Sequence, residues 1–481
     1  MFKHVALTGL LLSSAAFANS YRQALQTLNN APKHIQETMN SAPAKFEFEG
    51  QFGANSSVSY PGQAFRQVLI EDIKSAMTSQ PRGSYPDSKA EANNMLMSYY
   101  AYDEMTALTG VGVIDGFSEF KIGGQNLQAW PLPIYEGFIY SDIQSPGKNL
   151  VAKIAGNDNS LRRGKLFGTA QAQTPDKLVL KWFDMFAQNA VEGDSFTVPN
   201  GELDPQTITQ AHITENGLDL AQLTQKFFHG AVSYSQAARD YLSTELGDSK
   251  GLNADNSKPA KQGAAYTALE HHFDEAFGYF GAAQDYQSYT DLERRKKLSI
   301  DTNNDGFISV MSERNQGIST NTARIDLTAA DQSLDLTNQA MGAFLKGRHL
   351  ITQKPEGYLP YVVAQAQVAL NAWEKTLAGV TIHYINNTIR EYAEYGSTNY
   401  LYKDFVKFWG EMKGFAFAFQ FNPKASMDDE TFDRIHELMR DEPVLPHASK
   451  LKVSTYVADL LAARELIGRA YDFSDENVAS W

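Results

Sequence analysis

Cysteine is absent from this sequence of 481 residues. Its absence excludes disulfides, Cys-ligated zinc, iron–sulfur clusters and thiol nucleophiles. A basic excess is lacking too, because 42 Lys and Arg stand against 56 Asp and Glu, for a formal net charge of −14. Nucleic acids and anionic lipids both need a basic footprint, so neither is expected as the main partner.

The common sequence signatures of enzymes are missing as well. The chain has no Gly-x-Ser-x-Gly elbow, no Walker loop and no dinucleotide fingerprint. What it does have is 43% hydrophobic and 12% aromatic residues, with only 20% charged. This composition excludes wholesale disorder and is sufficient for a large core. It predicts a folded protein and gives no sign of catalysis.

The N-terminus has the pattern of a secretory signal peptide over residues 1–18. Lys3 precedes an apolar run from Val5 to Leu12, and Ala16-Phe17-Ala18 forms a small-residue exit. A membrane anchor is the alternative, but the run is far shorter than the roughly 20 residues that span a bilayer. We therefore expect an exported protein without a transmembrane segment, in the periplasm or at the cell surface of a Gram-negative bacterium. Residues 19–45 are polar and are expected to be a flexible segment.

Helical periodicity dominates the rest of the chain. The clearest seam lies between Leu220 and Tyr241, where apolar residues recur at spacings of three and four. Gly230 within this seam would let a neighbouring helix approach closely. Further helices are expected near 62–79, 88–108, 175–190, 266–281, 331–352, 360–395, 400–420 and 429–440, and one capped by Ser454. The pattern predicts an all-α fold, with 46–481 as a single large helical-bundle domain that could divide into two sub-bundles.

An acidic loop at 301–313 resembles the calcium loop of an EF-hand. Oxygen donors fall at loop positions 1, 3 and 5, Gly306 lies at the sharp turn, and Ile308 is the apolar anchor. The acid that normally closes the loop comes one residue late. The predicted calcium ligands are Asp301, Asn303, Asp305, the Phe307 carbonyl, Ser309 and Glu313. The alternative is a turn rich in Asn and Asp that binds no ion.

A second candidate site is the run of His and acidic residues at 270–275. On a helix, His272 lies three residues and His271 four residues before Glu275, so either imidazole could share a face with it. The apolar stripe places His272 and Glu275 at its partly buried edge and turns His271 to solvent. With His229 from the 220–241 helix, they could bind a transition metal such as iron or zinc. The alternative is a hydrogen-bonded polar rim between His272 and Glu275. Arg348, on another predicted helix, could pair with acids.

Several stretches resemble an uncharacterised, domain-of-unknown-function family of secreted bacterial helical proteins. They are GKNLVAKIAG at 147–156, QKFFHGAVSYSQAARDYL at 225–242, HHFDEAFGYFG at 271–281, DTNNDGFISVMSERN at 301–315, GAFLKGRHLI at 342–351 and KFWGEMKGFAFAF at 407–419. That family is similar in style to the imelysin-like group, whose helical bundles are associated with iron-regulated uptake and carry a Gly-x-His-x-x-Glu motif. His272 and Glu275 match the His and Glu of the motif, while Glu270 occupies the glycine position.

Three functions follow as hypotheses. The first is an exported, non-enzymatic, imelysin-like binding protein for a metal ion or small ligand, serving metal or iron acquisition. The second is a calcium-stabilised surface scaffold or adhesion component, with a protein partner. The third is a metallohydrolase, which would need His272, Glu275 and His229 around one ion with an open coordination position.

Overall fold

The computed structural model describes residues 10–53, 56–101, 126–129, 132–133, 148–247, 249–304 and 307–481. Fifteen α-helices lie within these residues. They are α1 (Leu10–Asn29), α2 (Lys33–Asn40), α3 (Pro61–Ser79), α4 (Lys89–Tyr100), α5 (Pro175–Val191), α6 (Leu220–Phe228), α7 (Ala268–Phe280), α8 (Asp291–Arg295), α9 (Ser319–Thr328), α10 (Leu336–Gln353), α11 (Leu359–Glu394), α12 (Tyr402–Ala416), α13 (Asp429–Met439), α14 (Lys450–Ala470) and α15 (Asp475–Ser480). The all-α prediction is therefore confirmed.

Strands contribute little to the described fold. A short sheet has the order β2 (Leu132–Pro133), β1 (Asn126–Ala129) and β5 (Phe307–Ser309), with β1 antiparallel to β2 and parallel to β5. An antiparallel hairpin joins β3 (Phe196–Asn200) to β4 (Leu203–Ile208). Neither sheet is large enough to form a layer, so the helices provide the packing.

Helix α11 is the centre of the bundle. It is 36 residues long and packs against α1, α10, α12 and α14. One continuous cluster of buried apolar residues runs from Ala31 to Trp481. Trp373 on α11 and Trp409 on α12 are both fully buried within it. No helix among the described residues is both long and apolar enough to cross a membrane.

The predicted seam at 220–241 is confirmed as a helix, but only its first part is α-helical. From His229 to Tyr234 and from Gln236 to Tyr241 it continues as π-helix. The π-helix is rare in proteins, and where it occurs it is often found at a functional site. A Cβ at Gly230 would lie 2.7 Å from Ala418 Cβ and 2.8 Å from Ala418 Cα. The glycine therefore permits the close approach that the sequence indicated.

Helix α7 has well-defined ends. Thr267 and Glu270 form a capping box at its start, and Gly281 ends it in the left-handed conformation. For α14 the predicted cap is wrong, because the helix begins at Lys450 with Ser449 as N-cap. Its first turn is exposed, and the apolar pattern starts only at Tyr456. The apolar pattern therefore placed the start of this helix about one turn too far along the chain.

The expectation of a flexible segment at 19–45 also needs correction. Most of α1 and all of α2 lie within it, and α2 packs against α10 through Ile35 and Met39, which are spaced one helical turn apart and buried. The alternating apolar and acidic residues at 46–49 that follow could suggest a strand, but they form none. Phe46 and Phe48 nevertheless point inward, and Phe46 stacks on Phe277 with ring centroids 3.8 Å apart. The chain is thus anchored here by its aromatic side chains and not by strand pairing.

Candidate functional site

A cavity of about 690 Å³ lies between α3, the π-helical end that follows α6, α7 and the connections at 148–160 and 246–266. Its volume falls in the range of pockets for small organic ligands. We call it the first cavity. Its wall includes Gln63, Arg66, Lys148, Lys153, Asp158, Arg239, Asp240, Tyr241, Lys250, Lys261, Tyr266, His271, His272 and Glu275.

The floor of the first cavity is polar and rigidly held. Gln63 is buried on α3 and donates to Glu275 Oε1 at 2.7 Å and to the Tyr241 hydroxyl at 3.3 Å. Arg66, one turn further along α3, donates from Nε to the Asn149 carbonyl at 2.8 Å. Such cross-links fix donors and acceptors before a ligand arrives, which lowers the entropic cost of binding.

Both imidazoles of α7 lie in the wall, but their contacts differ from those expected. His271 is only 28% exposed at its side chain and lies with Nε2 3.7 Å from Glu275 Oε1. It donates from Nδ1 to the Ser59 carbonyl, whereas His272 donates from Nδ1 to the Gly251 carbonyl. A carbonyl can only accept, so each Nδ1 carries the proton. Glu275 therefore has His271, not His272, as its neighbour.

Two neighbouring carboxyl groups, Asp158 and Asp240, lie at one side of the first cavity. Asp158 accepts from Lys153 Nζ at 2.8 Å and from Gln236 Nε2 at 2.9 Å, and it is hydrogen-bonded to Asp240. Burial and the neighbouring Asp158 raise the pKa of Asp240 to about 7. One carboxyl of the pair is therefore often protonated near neutral pH and can donate as well as accept.

The charge of the first cavity opposes that of the chain. Its described wall carries six Lys and Arg against three Asp and Glu, in a protein of net charge −14. Lys148, Lys250 and Lys261 form an exposed rim. A cationic concave surface on an anionic protein concentrates anions from solution.

A buried ionic cluster supports the opposite side of α7. Arg348 on α10 is fully buried and donates to Asp274 Oδ1 at 2.7 Å and to Glu270 Oε1 at 2.9 Å. The expectation that Arg348 pairs with acids is confirmed. Glu270, at the glycine position of the resembled motif, thus links α7 to α10 and caps α7.

Comparison with known proteins identifies a family. The family described as Domain of unknown function (DUF4856) matches residues 173–443, more than half of the chain. The chain belongs to this family. No curated protein and no solved structure matches it. The prediction of an uncharacterised family is thus confirmed, whereas the imelysin-like resemblance stays a prediction.

The DUF4856 segment provides only part of the first cavity. It includes Asp240, Tyr241 and both imidazoles, while α3 and the 148–160 connection precede it. Sequence reasoning missed Gln63, Arg66 and the carboxyl pair. A signal for part of this wall was present, because two of the quoted stretches, 147–156 and 225–242, contain Lys148, Lys153 and Asp240.

The structure does not bring the proposed third metal ligand to the first cavity. His229 lines a separate cavity of about 290 Å³ between α3, α6, α9, α11 and α12, which we call the second cavity. Burial, together with Lys226 and Lys297, lowers the pKa of His229 to about 3. Charged and titratable residues of this wall are Glu71, Lys74, Lys226, His229, Arg295, Lys297, Arg324, His383, Tyr384, Lys407 and Glu411.

No group of three His, Asp or Glu side chains within the described ranges could hold a metal ion. His272 and Glu275 share the wall of the first cavity, but His229 lies elsewhere. A transition-metal site built from these three residues, on which the metallohydrolase hypothesis depends, is therefore not supported by the geometry.

The 301–313 loop is described only in part, because Asp305 and Gly306 lie outside the described residues. Ile308 is fully buried, as its role of apolar anchor requires. Glu313 turns back onto the loop, where Oε1 accepts from Thr302 and Oε2 accepts from the Ser309 amide at 2.8 Å. Both carboxylate oxygens thus hold the ends of the loop together.

Proposed function

We propose that this protein is an exported, non-catalytic binding protein whose ligand is a small, polar organic anion held in the first cavity. The observation that carries the proposal is the combination of volume and charge in this cavity. Its wall has a cationic excess although the chain as a whole is strongly anionic. Self-repulsion among like charges is costly unless a ligand of opposite charge compensates it.

The polar floor favours a ligand rich in oxygen. Arg66 and Arg239 line the cavity as N–H donors, and the Asp158–Asp240 pair presents both a donor and an acceptor. Carboxylates, phosphates and hydroxyl groups match this set. Among the described residues, no three His, Asp or Glu side chains lie close enough together to bind a metal ion directly. If the protein takes part in metal acquisition, the metal would therefore be bound by the organic anion and carried with it.

A binding role, not a catalytic one, is supported by the contacts of the two imidazoles. Both rings are oriented by backbone carbonyls. Within the described wall, neither imidazole forms a hydrogen bond to a hydroxyl group, which an activated nucleophile would require. Export is supported by the signal-peptide pattern at residues 1–18.

The test measures the affinity of several small ligands that differ in charge and in shape. Citrate, ferric citrate, glutamate, a hexose and a hexose phosphate are titrated calorimetrically at constant ionic strength. We expect an acidic member to bind and Arg239→Gln to weaken it at least tenfold, because a charge-assisted contact is lost. Lys33→Gln is the matched control, since Lys33 is highly exposed on α2. Binding of the neutral hexose alone, or equal affinity in Arg239→Gln, would contradict the proposal.

A structural calcium ion in the 301–313 loop is a second, independent proposal. The buried Ile308 supports it, because the loop is tied to the core at the expected position. Glu313 is engaged by Thr302 and Ser309, so the oxygen shell would come from Asp301, Asn303, Asp305, the Phe307 carbonyl and water. Such a shell is typical of a structural site that binds calcium weakly and not of a calcium-sensor site.

A further inference from the structure

The second cavity is distinct from the first, although both are lined by the long helix from Leu220 to Tyr241. Residues at the start of that helix, such as Lys226, line the second cavity, whereas Arg239 and Asp240 near its end line the first. At about 290 Å³ it lies at the lower limit for organic ligands. A small ion with its water molecules fits this volume.

The wall of the second cavity is more cationic than that of the first. Its described residues include six Lys and Arg against two Glu. Both acids already have partners, because Glu71 contacts Lys297 at 2.6 Å and Arg314 at 2.5 Å, while Glu411 lies 3.3 Å from Lys226. Four cations, Lys74, Arg295, Arg324 and Lys407, then have no carboxylate within ion-pair distance among the described residues.

These four cations come from four different segments, so no local sequence feature explains their convergence. Lys74 lies on α3, Arg295 at the end of α8, Arg324 on α9 and Lys407 on α12. Arg324 is held in place by a hydrogen bond from Nη1 to the Tyr384 hydroxyl at 2.9 Å, and its Nε is buried without a partner. A buried, unpaired N–H is costly and normally meets an acceptor.

The two imidazoles of the wall add neutral polar groups. His229 is almost fully buried, and its Nδ1 has no hydrogen-bond partner in the described structure; the same holds for His383 Nδ1. Burial, with Arg324 and Arg295, lowers the pKa of His383 to about 4. Neutral imidazoles can donate an N–H to an anion without increasing the repulsion among the cations.

We infer that the second cavity binds a small, multiply charged oxyanion of the size and charge of phosphate. Arg and Lys are the residues that recognise phosphate oxygens, Arg through paired N–H groups and Lys as a point charge. The oxyanion could be free or the head of a small phosphomonoester, because both present the same oxygens. Monovalent chloride would compensate too little of the charge.

The test is calorimetric titration of the full chain with inorganic phosphate, sulfate, glycerol phosphate and chloride at low ionic strength. We expect one phosphate per chain, affinity that falls as salt rises, and at least tenfold weaker binding in Arg324→Gln and in Lys407→Gln. If glycerol phosphate binds as tightly as phosphate, the ligand is assigned as a phosphomonoester. If it binds more weakly, the ligand is assigned as the free oxyanion. Lys33→Gln should bind like the wild type.

Two further measurements keep the outcome decisive. Phosphate should raise the melting temperature of the wild type but not that of Arg324→Gln, which tests the site even if the variant is less stable. Arg239→Gln, in the first cavity, should retain phosphate binding. Loss of binding in Arg239→Gln with full binding in Arg324→Gln would place the anion in the first cavity and overturn the inference. Absence of any phosphate or sulfate binding to the wild type would overturn it as well.

Discussion

The buried Arg348 should be essential for the stability of the α7–α10 contact. Its guanidinium donates to Asp274, Glu270 and the Ser57 hydroxyl at 2.7, 2.9 and 2.7 Å, and also to Thr352. Arg348→Met would leave two buried carboxyls without their cation. Removing one partner of a buried ion pair costs about 3–5 kcal/mol, because the remaining charge cannot be hydrated. We therefore expect the free energy of unfolding to fall by about that amount.

The assay is urea unfolding followed by circular dichroism and tryptophan fluorescence, whose coincidence checks that the transition is cooperative. Lys346→Met is the matched control, because Lys346 lies exposed on the same helix. Its unfolding free energy should change by less than about 0.5 kcal/mol. A loss below about 1 kcal/mol in Arg348→Met would refute the reasoning that the cluster depends on this cation.

The same cluster predicts a pH dependence. Burial raises the pKa of Asp274 to about 7, with Arg348 opposing the rise and Glu270 adding to it. The folded protein then binds this proton more tightly than the unfolded chain, so the stabilisation is complete below about pH 4 and is lost as pH rises through about 7. The unfolding free energy of Asp274→Asn, measured against wild type from pH 4 to 8, should show the wild type losing stability relative to the variant. A constant difference would mean that Asp274 stays ionised beside Arg348.

Three other predictions concern single positions. Gly230→Ala should lower the unfolding free energy by about 1–3 kcal/mol, because its Cβ would overlap Ala418; no loss would mean that the helices can separate. Ser449→Ala should cost about 1 kcal/mol in urea unfolding, whereas Ser454→Ala should be neutral, because only the former caps α14. Calcium should raise the wild-type melting temperature, and a chelator or Asp305→Ala should abolish the rise; identical melting with calcium and chelator would contradict the ion site.

The helices could be predicted from the sequence because their apolar residues repeat with the helical period. Leu220, Leu223 and Phe227 are fully or almost fully buried, as the seam requires. The π turns that follow could not be predicted from spacing alone. Ala231 accepts a hydrogen bond from the Ala155 amide at 2.7 Å, so a distant segment bonds directly to the backbone of these turns. No local pattern specifies such a contact.

The candidate site was harder to predict, for a related reason. The helical wheel allowed either imidazole to lie beside Glu275 but placed His271 in solvent. In the structure, His271 is enclosed because the Ser59 carbonyl and the Tyr266 ring lie against it, the ring with its centroid 4.7 Å away. Periodicity shows which face of a helix meets the core. It does not show what a distant loop places over the opposite face.

The helix from Leu220 to Tyr241 shows why polar residues on a helix need not indicate solvent. Gln222, Gln225, Lys226 and His229 lie off its apolar seam, and all four are buried in the wall of the second cavity. Burying such groups is costly unless they find polar partners. When neighbouring elements enclose a helix on every side, its polar face therefore indicates a polar cavity inside the protein. In this fold, the same residues that weaken the apolar pattern are the ones that line the second cavity.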